Sequence, residues 1–167
     1  MALIIETGEG LSNSESYATA AELVIYAGKY GVTVPATEAE QEALLRRAAV
    51  SMNAMTWKGS LANADQALAW PRQEVWIDGA KKPANLIPRQ IHYGQMALAA
   101  ETHKDDLNPP QAQKGAVIRE KVDGAVEREY ATITNESGHV LPVAADKPSR
   151  TLFADYLLRR GLFAIRA

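Results

Sequence analysis

The stretch from Gln66 to Arg72 (Gln-Ala-Leu-Ala-Trp-Pro-Arg) constrains the fold most, because it places the largest apolar side chain directly before a proline. A proline fixes its own φ and holds the preceding residue in an extended conformation. We therefore expect Trp70 to lie on a loop with its ring turned inward as a core anchor. Gln66 and Arg72 flank it with groups that can bond backbone carbonyls or carboxylates. The structural motif comprises Trp57, Gly59, Gln66, Leu68, Trp70, Pro71 and Arg72.

Composition places the chain in the ordinary globular class. Its 167 residues suffice for one domain, and 47% hydrophobic with 23% charged residues excludes a disordered chain. A net charge of −2 gives no basic field that would attract nucleic acid or an anionic membrane. The absence of cysteine excludes disulfides and thiolate chemistry. Without a signal peptide or a run of roughly 18 apolar residues, we expect a soluble protein made inside the cell.

Four segments show the three-to-four spacing of apolar residues that predicts amphipathic helices. The first is capped by Ser14 or Ser16 and closed by Gly31, a residue suited to the left-handed position after a helix. The second begins at the capping box formed by Thr37 and Glu40 and ends near Trp57. The expected buried faces are Tyr17, Ala20 or Ala21, Val24 and Ala27 or Gly28 in the first helix, and Leu44 or Leu45, Ala48, Met52 and Met55 in the second.

The third helix opens at Pro88, where a missing N–H costs nothing, and stops before Asn108. The fourth is capped by Ser149 and ends at Gly161. Between the second and third helices, the residues from Val75 to Gly79 are interpreted as a short strand and turn, although the following Lys-Lys-Pro favours a surface loop. The expected buried faces are Ile87, Ile91, Gly94 or Gln95 and Leu98 in the third helix, and Leu152, Phe153, Tyr156 and Leu157 in the fourth.

Beyond Gly115 the pattern becomes alternating and predicts a β-hairpin, with strands at 117–121 and 126–130. A two-residue Asp-Gly loop would set Glu120 opposite Glu127 and Arg119 opposite Arg128. A three-residue loop with left-handed Gly124 sets Arg119 opposite Glu127 instead. Because like charges directly opposite are destabilising, we favour the three-residue loop.

These signals predict a mainly α fold, a small bundle of about four helices with one β-hairpin and extended terminal arms. We expect a single domain over 1–167. It would have a helical core at about 14–107, the hairpin at about 116–132, and a C-terminal helix and tail at about 149–167.

No pattern indicates catalysis, a metal or a cofactor. His92 and His103 lie eleven residues apart on one predicted helix, about 16 Å, which is too far to share a metal. No glycine-rich loop joins a strand to a helix, and no serine has a nucleophile-elbow context. Asp105 and Asp106 are interpreted as a solvated helix end. We therefore expect no enzyme activity, no catalytic residues, no metal and no cofactor.

A single-stranded nucleic-acid site needs exposed aromatic side chains interleaved with lysine or arginine. Trp57, Trp70 and Trp76, with Lys58 and Arg72 beside the first two, come nearest to that pattern. All three tryptophans fit core or interface anchors better, and the net charge gives no support to nucleic-acid binding.

The order of the motifs along the chain is itself informative. Ser16-Tyr17 comes first, then a helix ending in Trp57-x-Gly59, the Gln66-to-Arg72 motif, Ile87-Pro88, the hairpin from Glu120 to Ala131, and Leu157-Leu158. This order resembles that of the head-to-tail adaptor (head completion, connector) proteins of tailed bacteriophages. Some members of that group carry the label "putative DnaT-like single-stranded-DNA-binding protein". The likeness covers nearly the full chain, which departs from the family pattern in an insertion at 81–85 and an extended connector at 134–149.

The resemblance implies a structural protein that forms a ring, typically of twelve copies, beneath the portal protein. The ring would extend the DNA channel and join the head to the neck or tail. The implied partners are the portal, neighbouring copies, and a neck, stopper or tail-terminator protein on the tail side. The double-stranded genome would pass through without sequence-specific binding, and no membrane is involved. The implied location is the neck of the virion, after synthesis and assembly in the host cytoplasm.

The resemblance also suggests which segments make contacts. The apolar tail is costly to leave in water and would dock on the portal, although folding back onto its own core remains an equal alternative. The alternative function is single-stranded-DNA binding. The candidate portal-docking residues are Arg159, Arg160, Leu162, Phe163, Ile165 and Arg166, and the candidate inter-subunit hairpin residues are Arg119, Lys121, Asp123, Gly124, Glu127 and Arg128.

Overall fold

The computed structural model describes residues 3–107, 117–122, 126–130 and 147–158. The chain divides into two compact units, one formed by 1–108 with 147–167 and the other by 109–146. The fold is mainly α with short antiparallel strand pairs, which confirms the predicted class. The helices are α1 (Ala20–Tyr30), α2 (Glu38–Asn53), α3 (Arg89–Leu107) and α4 (Pro148–Phe153). The paired strands are β1 (Ser60–Leu61) with β2 (Arg72–Gln73), β3 (Trp76–Ile77) with β4 (Ala80–Lys81), and β5 (Val117–Val122) with β6 (Val126–Tyr130).

Helix α1 begins later than predicted. Thr19 is its N-cap and forms a capping box with Glu22, whose carboxylate accepts from the Thr19 N–H at 2.8 Å. Ser14 and Ser16 do not cap it, because both side chains form hydrogen bonds within the preceding arm and to α3. The buried face is Ala20, Leu23, Tyr26 and Ala27, so the expected burial of Val24 is wrong. Gly31 ends the helix in the left-handed region, with φ of 65°, as predicted.

Helix α2 is capped by Thr37, whose hydroxyl accepts from the Glu40 N–H at 3.4 Å, as predicted. It ends at Asn53, earlier than expected, because the Trp57 indole N–H donates to the Met52 carbonyl at 2.8 Å. That bond satisfies a carbonyl that a further helical turn would otherwise use. The buried residues include the predicted Leu44, Leu45, Ala48 and Met52.

Helix α3 follows Pro88, whose carbonyl accepts from the N–H groups of Ile91 and His92 at 2.9 and 3.2 Å. Gly94 is a glycine because the ring of Phe153 lies against it, and a Cβ there would overlap that ring. None of the helices in the described part of the chain is long and apolar enough to cross a membrane.

Helix α4 differs from the prediction at both ends. Lys147 occupies the N-cap position, but its side chain does not cap the helix. Ser149 is buried in the first turn, where its hydroxyl donates to Glu101 at 2.7 Å. The helix stops at Phe153 and not at Gly161. The chain then turns and pairs Leu157 with Trp57 in an antiparallel bridge, which a continued helix could not form.

The first unit has two clusters of buried apolar residues, and Leu98 on α3 packs against both. Trp57, Trp70, Ile91, Phe153 and Tyr156 belong to the first cluster. Leu23, Tyr26, Leu45, Ala48 and Met96 belong to the second. The short β3–β4 hairpin reaches the first cluster through Ile77, and its Asp-Gly turn confirms the predicted strand and turn. Lys81 lies in β4 and not in a loop.

In the second unit, β5 and β6 form the predicted hairpin, with three residues between the strands as expected. The register differs from the prediction, because the strands meet at Val122 and Val126. Lys121 therefore lies opposite Glu127, Glu120 opposite Arg128, and Arg119 opposite Glu129 rather than Glu127. The one irregularity in the described pairing lies beyond these pairs, between Arg119 and Val117. The observed register places opposite charges across from each other at three positions. The register predicted for the three-residue loop would have done so at one position.

Candidate functional site

The tryptophan–proline motif lies at the centre of the first cluster. Trp70 is 1% exposed, and its peptide bond to Pro71 is cis. Its ring meets those of Trp57 and Tyr156 edge to face, with centroids 6.0 and 5.5 Å apart. Tyr17 accepts a hydrogen bond from the Trp70 N–H at 2.9 Å, and its burial raises the pKa of the phenol. Trp70 is a core anchor, as predicted.

The polar members of the motif bind the protein's own backbone. The Gln66 amide donates to the carbonyls of Leu68 and Pro71 at 2.7 and 3.0 Å. The Arg72 guanidinium donates to the carbonyls of Lys58, Ala69 and Gly59 at 2.8, 3.2 and 2.8 Å, and burial lowers its pKa. These groups bond backbone carbonyls, as the sequence suggested, and those bonds leave them little capacity for a ligand.

An acidic side chain in the N-terminal arm has a role that the sequence analysis missed. Glu6 is 2% exposed, and its carboxylate accepts from the N–H groups of Gly8, Gly10 and Leu11 at 2.8–2.9 Å and from the Ser14 hydroxyl at 3.1 Å. Burial by itself raises the pKa of a carboxyl group, but these four donors outweigh it and hold the pKa of Glu6 below its ordinary value. The closely spaced glycines after Glu6 are the sequence feature that could have indicated this role.

Gln95 is a second buried polar residue whose role the sequence did not show. It is fully buried on α3, and its carbonyl oxygen accepts from the N–H groups of Tyr17 and Ala18 at 2.9 and 3.1 Å. Its amide donates to Ser16 Oγ at 2.9 Å and to the Leu45 carbonyl at 3.0 Å. Gln95 therefore fastens the N-terminal arm and α2 to α3. From its spacing in the sequence, Gln95 is expected on the apolar face only as an alternative to Gly94.

The acidic pair at the end of α3 takes part in ion pairs. Asp106 pairs with Arg47 at 2.5 Å, and Asp105 pairs with Lys147 at 2.6 Å, although all four side chains remain 38–53% exposed. The pair lies in the last turn of α3 and is solvent-exposed, as interpreted, and each carboxylate also pairs with a basic side chain. Among the described residues, no group of three or more His, Asp or Glu side chains could hold a metal ion.

The large apolar side chains that are exposed lie outside the tryptophan–proline motif. Trp76 on β3 is 55% exposed and is therefore not a core residue. On α1, Ile25 and Tyr30 are each 56% exposed. Tyr30 stacks on Tyr26 with centroids 4.4 Å apart, and both meet Tyr93 edge to face. The Arg89 guanidinium lies over the Tyr93 ring at 4.7 Å.

A groove of about 530 Å³ lies beside the last described residues. Phe153 forms its base, and Leu158 on its rim is 53% exposed. The candidate docking residues from Arg159 to Arg166 follow directly and lie outside the described part of the chain. Of the candidate hairpin residues, Arg119, Lys121, Glu127 and Arg128 lie on β5 and β6, whereas Asp123 and Gly124 lie outside the described residues. The groove is lined by Met55, Thr56, Arg150, Phe153, Ala154, Leu157 and Leu158.

Comparison with known proteins gives one family. The model described as "Putative DnaT-like ssDNA binding protein" matches residues 1–165, nearly the whole chain. Neither the curated proteins nor the solved structures give a match.

Proposed function

The chain belongs to the family described as "Putative DnaT-like ssDNA binding protein", and we propose that it acts as a structural head-to-tail adaptor of a tailed bacteriophage. Copies form a ring beneath the portal, extend the DNA channel, and join the head to a neck or tail component. The double-stranded genome passes through the ring without base recognition. The protein is part of the virion neck, and it assembles in the bacterial cytoplasm.

One observation carries the proposal: the motif residues are used internally, whereas several large apolar side chains outside the motif are exposed. Trp57 and Trp70 are 5% and 1% exposed, so neither ring can stack on a base. Ile25, Tyr30 and Trp76 each expose more than half of their surface. Exposed aromatic and aliphatic side chains are typical of protein–protein contacts, which an assembly protein needs on several faces.

The groove beside Leu158 supports a docking role for the tail. The described chain ends on the rim of an apolar groove, and the next residues bring in Leu162, Phe163 and Ile165. A short apolar segment next to an apolar groove can bury both surfaces against a partner element. In the proposal, this end of the molecule faces the portal.

Single-stranded-DNA binding is the second candidate, favoured by the family description and by the exposed Trp76 next to Lys81 and Lys82. Lys81, however, pairs with Glu74 at 2.5 Å, which leaves Lys82 to contact phosphate. This candidate requires binding that weakens steeply with salt and is lost in Trp76→Ala. The matched control is Trp57→Ala, which removes an indole from the core and should act through stability alone.

Electron microscopy of a lysate from a phage lacking this gene tests the proposal. The expected result is DNA-filled or leaking heads beside separate, finished tails, with joined virions restored by a plasmid copy of the gene. A plasmid copy truncated after Leu158 should give a folded protein that does not restore joining. Normal virions without the gene, or a replication defect with few heads, would overturn the adaptor proposal and favour the single-stranded-DNA function.

A further inference from the structure

Two exposed surfaces, each built around aromatic side chains and flanked by charged ones, border different clusters of the core. The first, here called the tyrosine surface, consists of Ile25, Lys29, Tyr30, Arg89 and Tyr93 on α1 and α3. Its members Ile25, Lys29 and Tyr93 line a cavity of about 190 Å³, whose lining also includes Tyr26 and Met96 of the second cluster. The second, here called the Trp76 turn, consists of Trp76, Asp78 and Asp155. It adjoins Ile77 and Tyr156, which belong to the first cluster.

One of the two surfaces is concave, and the other presents an exposed side chain. The tyrosine surface is concave, and its rings are held in place by mutual stacking and by Arg89 over Tyr93. A pre-ordered aromatic pocket loses little side-chain freedom when a partner enters it. The Trp76 turn instead projects a 55% exposed indole from a two-residue hairpin turn. Tryptophan is one of the residues enriched at interface hot spots, which lie in well-packed pockets.

The charges of the two surfaces are complementary. Lys29 and Arg89 form no ion pair with any described carboxylate, and Glu22 nearby is engaged by Thr19 and His92. At the Trp76 turn, Asp78 and Asp155 are likewise without a described cationic partner. Both lie close enough to Tyr156 that, after burial, their charges help to raise the pKa of its phenol. Glu74 neutralises Lys81, so even with Lys82 this surface is net negative.

We propose that the Trp76 turn of one copy docks into the tyrosine surface of a second copy. The two surfaces differ, so the contact is head to tail, and repetition of it generates a closed ring or an open filament. The inference rests on the proposed ring and adds the two faces that join its subunits. Lys29 and Arg89 of one copy then face Asp78 and Asp155 of the next.

Disulfide trapping tests the contact, because the full chain has no cysteine of its own. Gly28→Cys on α1 and Ala80→Cys on β4 leave all the proposed contact residues in place. A Cβ at Gly28 meets open space, and Ala80 is exposed, so both variants should fold. Under mild oxidation at high concentration, the double variant is expected to give a ladder of dimers, trimers and larger species. A mixture of the two single variants is expected to stop at heterodimers.

Two outcomes of that experiment would overturn the proposal. Homodimers of Gly28→Cys alone would mean that the tyrosine surface packs against itself. Absence of a ladder from the double variant would mean that the two surfaces do not meet.

Charge reversal in the double-cysteine background is the sharper test. Lys29→Glu and Asp155→Lys are each expected to lower the ladder yield about tenfold, since like charges across an interface are strongly unfavourable. The two reversals together are expected to restore it. Asp155 is chosen because Asp78 has a left-handed φ of 52°, where a lysine would be strained. Failure of restoration, or an undiminished ladder in Trp76→Ala, would refute the contact.

These results separate the contact from the proposed function. No ladder, with separated heads and tails in the knockout lysate, would leave the adaptor function standing and reject this contact. A ladder together with normal knockout virions would establish self-association and reject the adaptor function.

Discussion

Replacement of Gln95 by methionine is expected to destabilise the first unit by about 2–4 kcal/mol. Methionine has similar length and volume and can fill the same space, so little of the loss comes from a cavity. The effect comes from the hydrogen bonds. Gln95 is fully buried, and its amide group bonds Ser16, Tyr17, Ala18 and Leu45.

The loss of hydrogen bonds in this variant differs among the partners of Gln95. The Tyr17 N–H has no other acceptor among the described residues and would be left buried and unpaired, at a cost of about 1–3 kcal/mol. The Ala18 N–H still has Ser16 Oγ at 3.1 Å, and Ser16 Oγ still has the Ala18 carbonyl. The weakened bonds to Ala18, Ser16 and Leu45 add about 1 kcal/mol in total after exchange with water.

Urea denaturation followed by tryptophan fluorescence measures the effect. With a slope of about 2 kcal/mol per molar urea, the midpoint should fall by about 1–2 M. Gln90→Met is the matched control, because Gln90 lies on the same helix, is exposed, and accepts only one described hydrogen bond, from the Tyr156 hydroxyl at 3.2 Å. Its midpoint should therefore fall much less than that of Gln95→Met. Equal midpoints for the two variants would refute the reasoning. They would show that the hydrogen bonds of Gln95 add no stability beyond what bonds to water provide.

Three further predictions concern stability. Trp70→Ala should cost about 3–5 kcal/mol and Trp76→Ala about 0.5 kcal/mol or less, and similar melting temperatures would contradict the assigned burial. Gly94→Ala should destabilise by about 1–3 kcal/mol because its Cβ overlaps Phe153, whereas Gly28→Ala should stabilise α1 by about 0.5–1 kcal/mol; calorimetry showing the same sign for both would be inconsistent with the packing. The pKa of Glu6 is lower folded than unfolded, so its charge contributes stability above the unfolded value that is lost as pH falls below about 4.5. The stability difference between wild type and Glu6→Gln should therefore shrink on acidification, and a constant difference in urea titrations from about pH 6 to pH 3 would argue against the carboxylate cradle.

The parts of the fold that follow from local chemistry were predictable. Thr37 and Gly31 act at the helix ends where capping rules place them, and Trp70 lies in the core as a tryptophan before a proline suggests. The wrong helix-cap predictions have a common cause. In each case the serine expected to cap a helix is hydrogen-bonded to a residue distant in the sequence. Ser16 is engaged by Gln95 on α3, and Ser149 is engaged by Glu101. Sequence spacing does not reveal such partners.

The candidate contact surfaces were less predictable than the core. The sequence alone does not distinguish the exposed Trp76 from the buried Trp57. Only the strand register shows that Ile77 faces inward while Trp76 does not. Val24 fits a helical stripe just as well as Leu23, and only packing against α2 and α3 shows that Leu23 is buried and Val24 is exposed. The tyrosine surface joins residues of α1 and α3 about sixty positions apart, so no local pattern identifies it.

The edge-to-face ring cluster also bears on how the protein is made. Trp57 and Trp70 are completed by Phe153 and Tyr156, which the ribosome adds more than eighty residues later. At about 5–20 residues per second, the two indoles wait roughly 4–17 s for those partners. During that interval the nascent chain exposes an aromatic patch, which is the kind of segment that chaperones bind. Slow translation of the segment 109–146 would lengthen the wait, so synonymous codon choice in a stretch that belongs to the other unit is expected to affect the yield of folded protein.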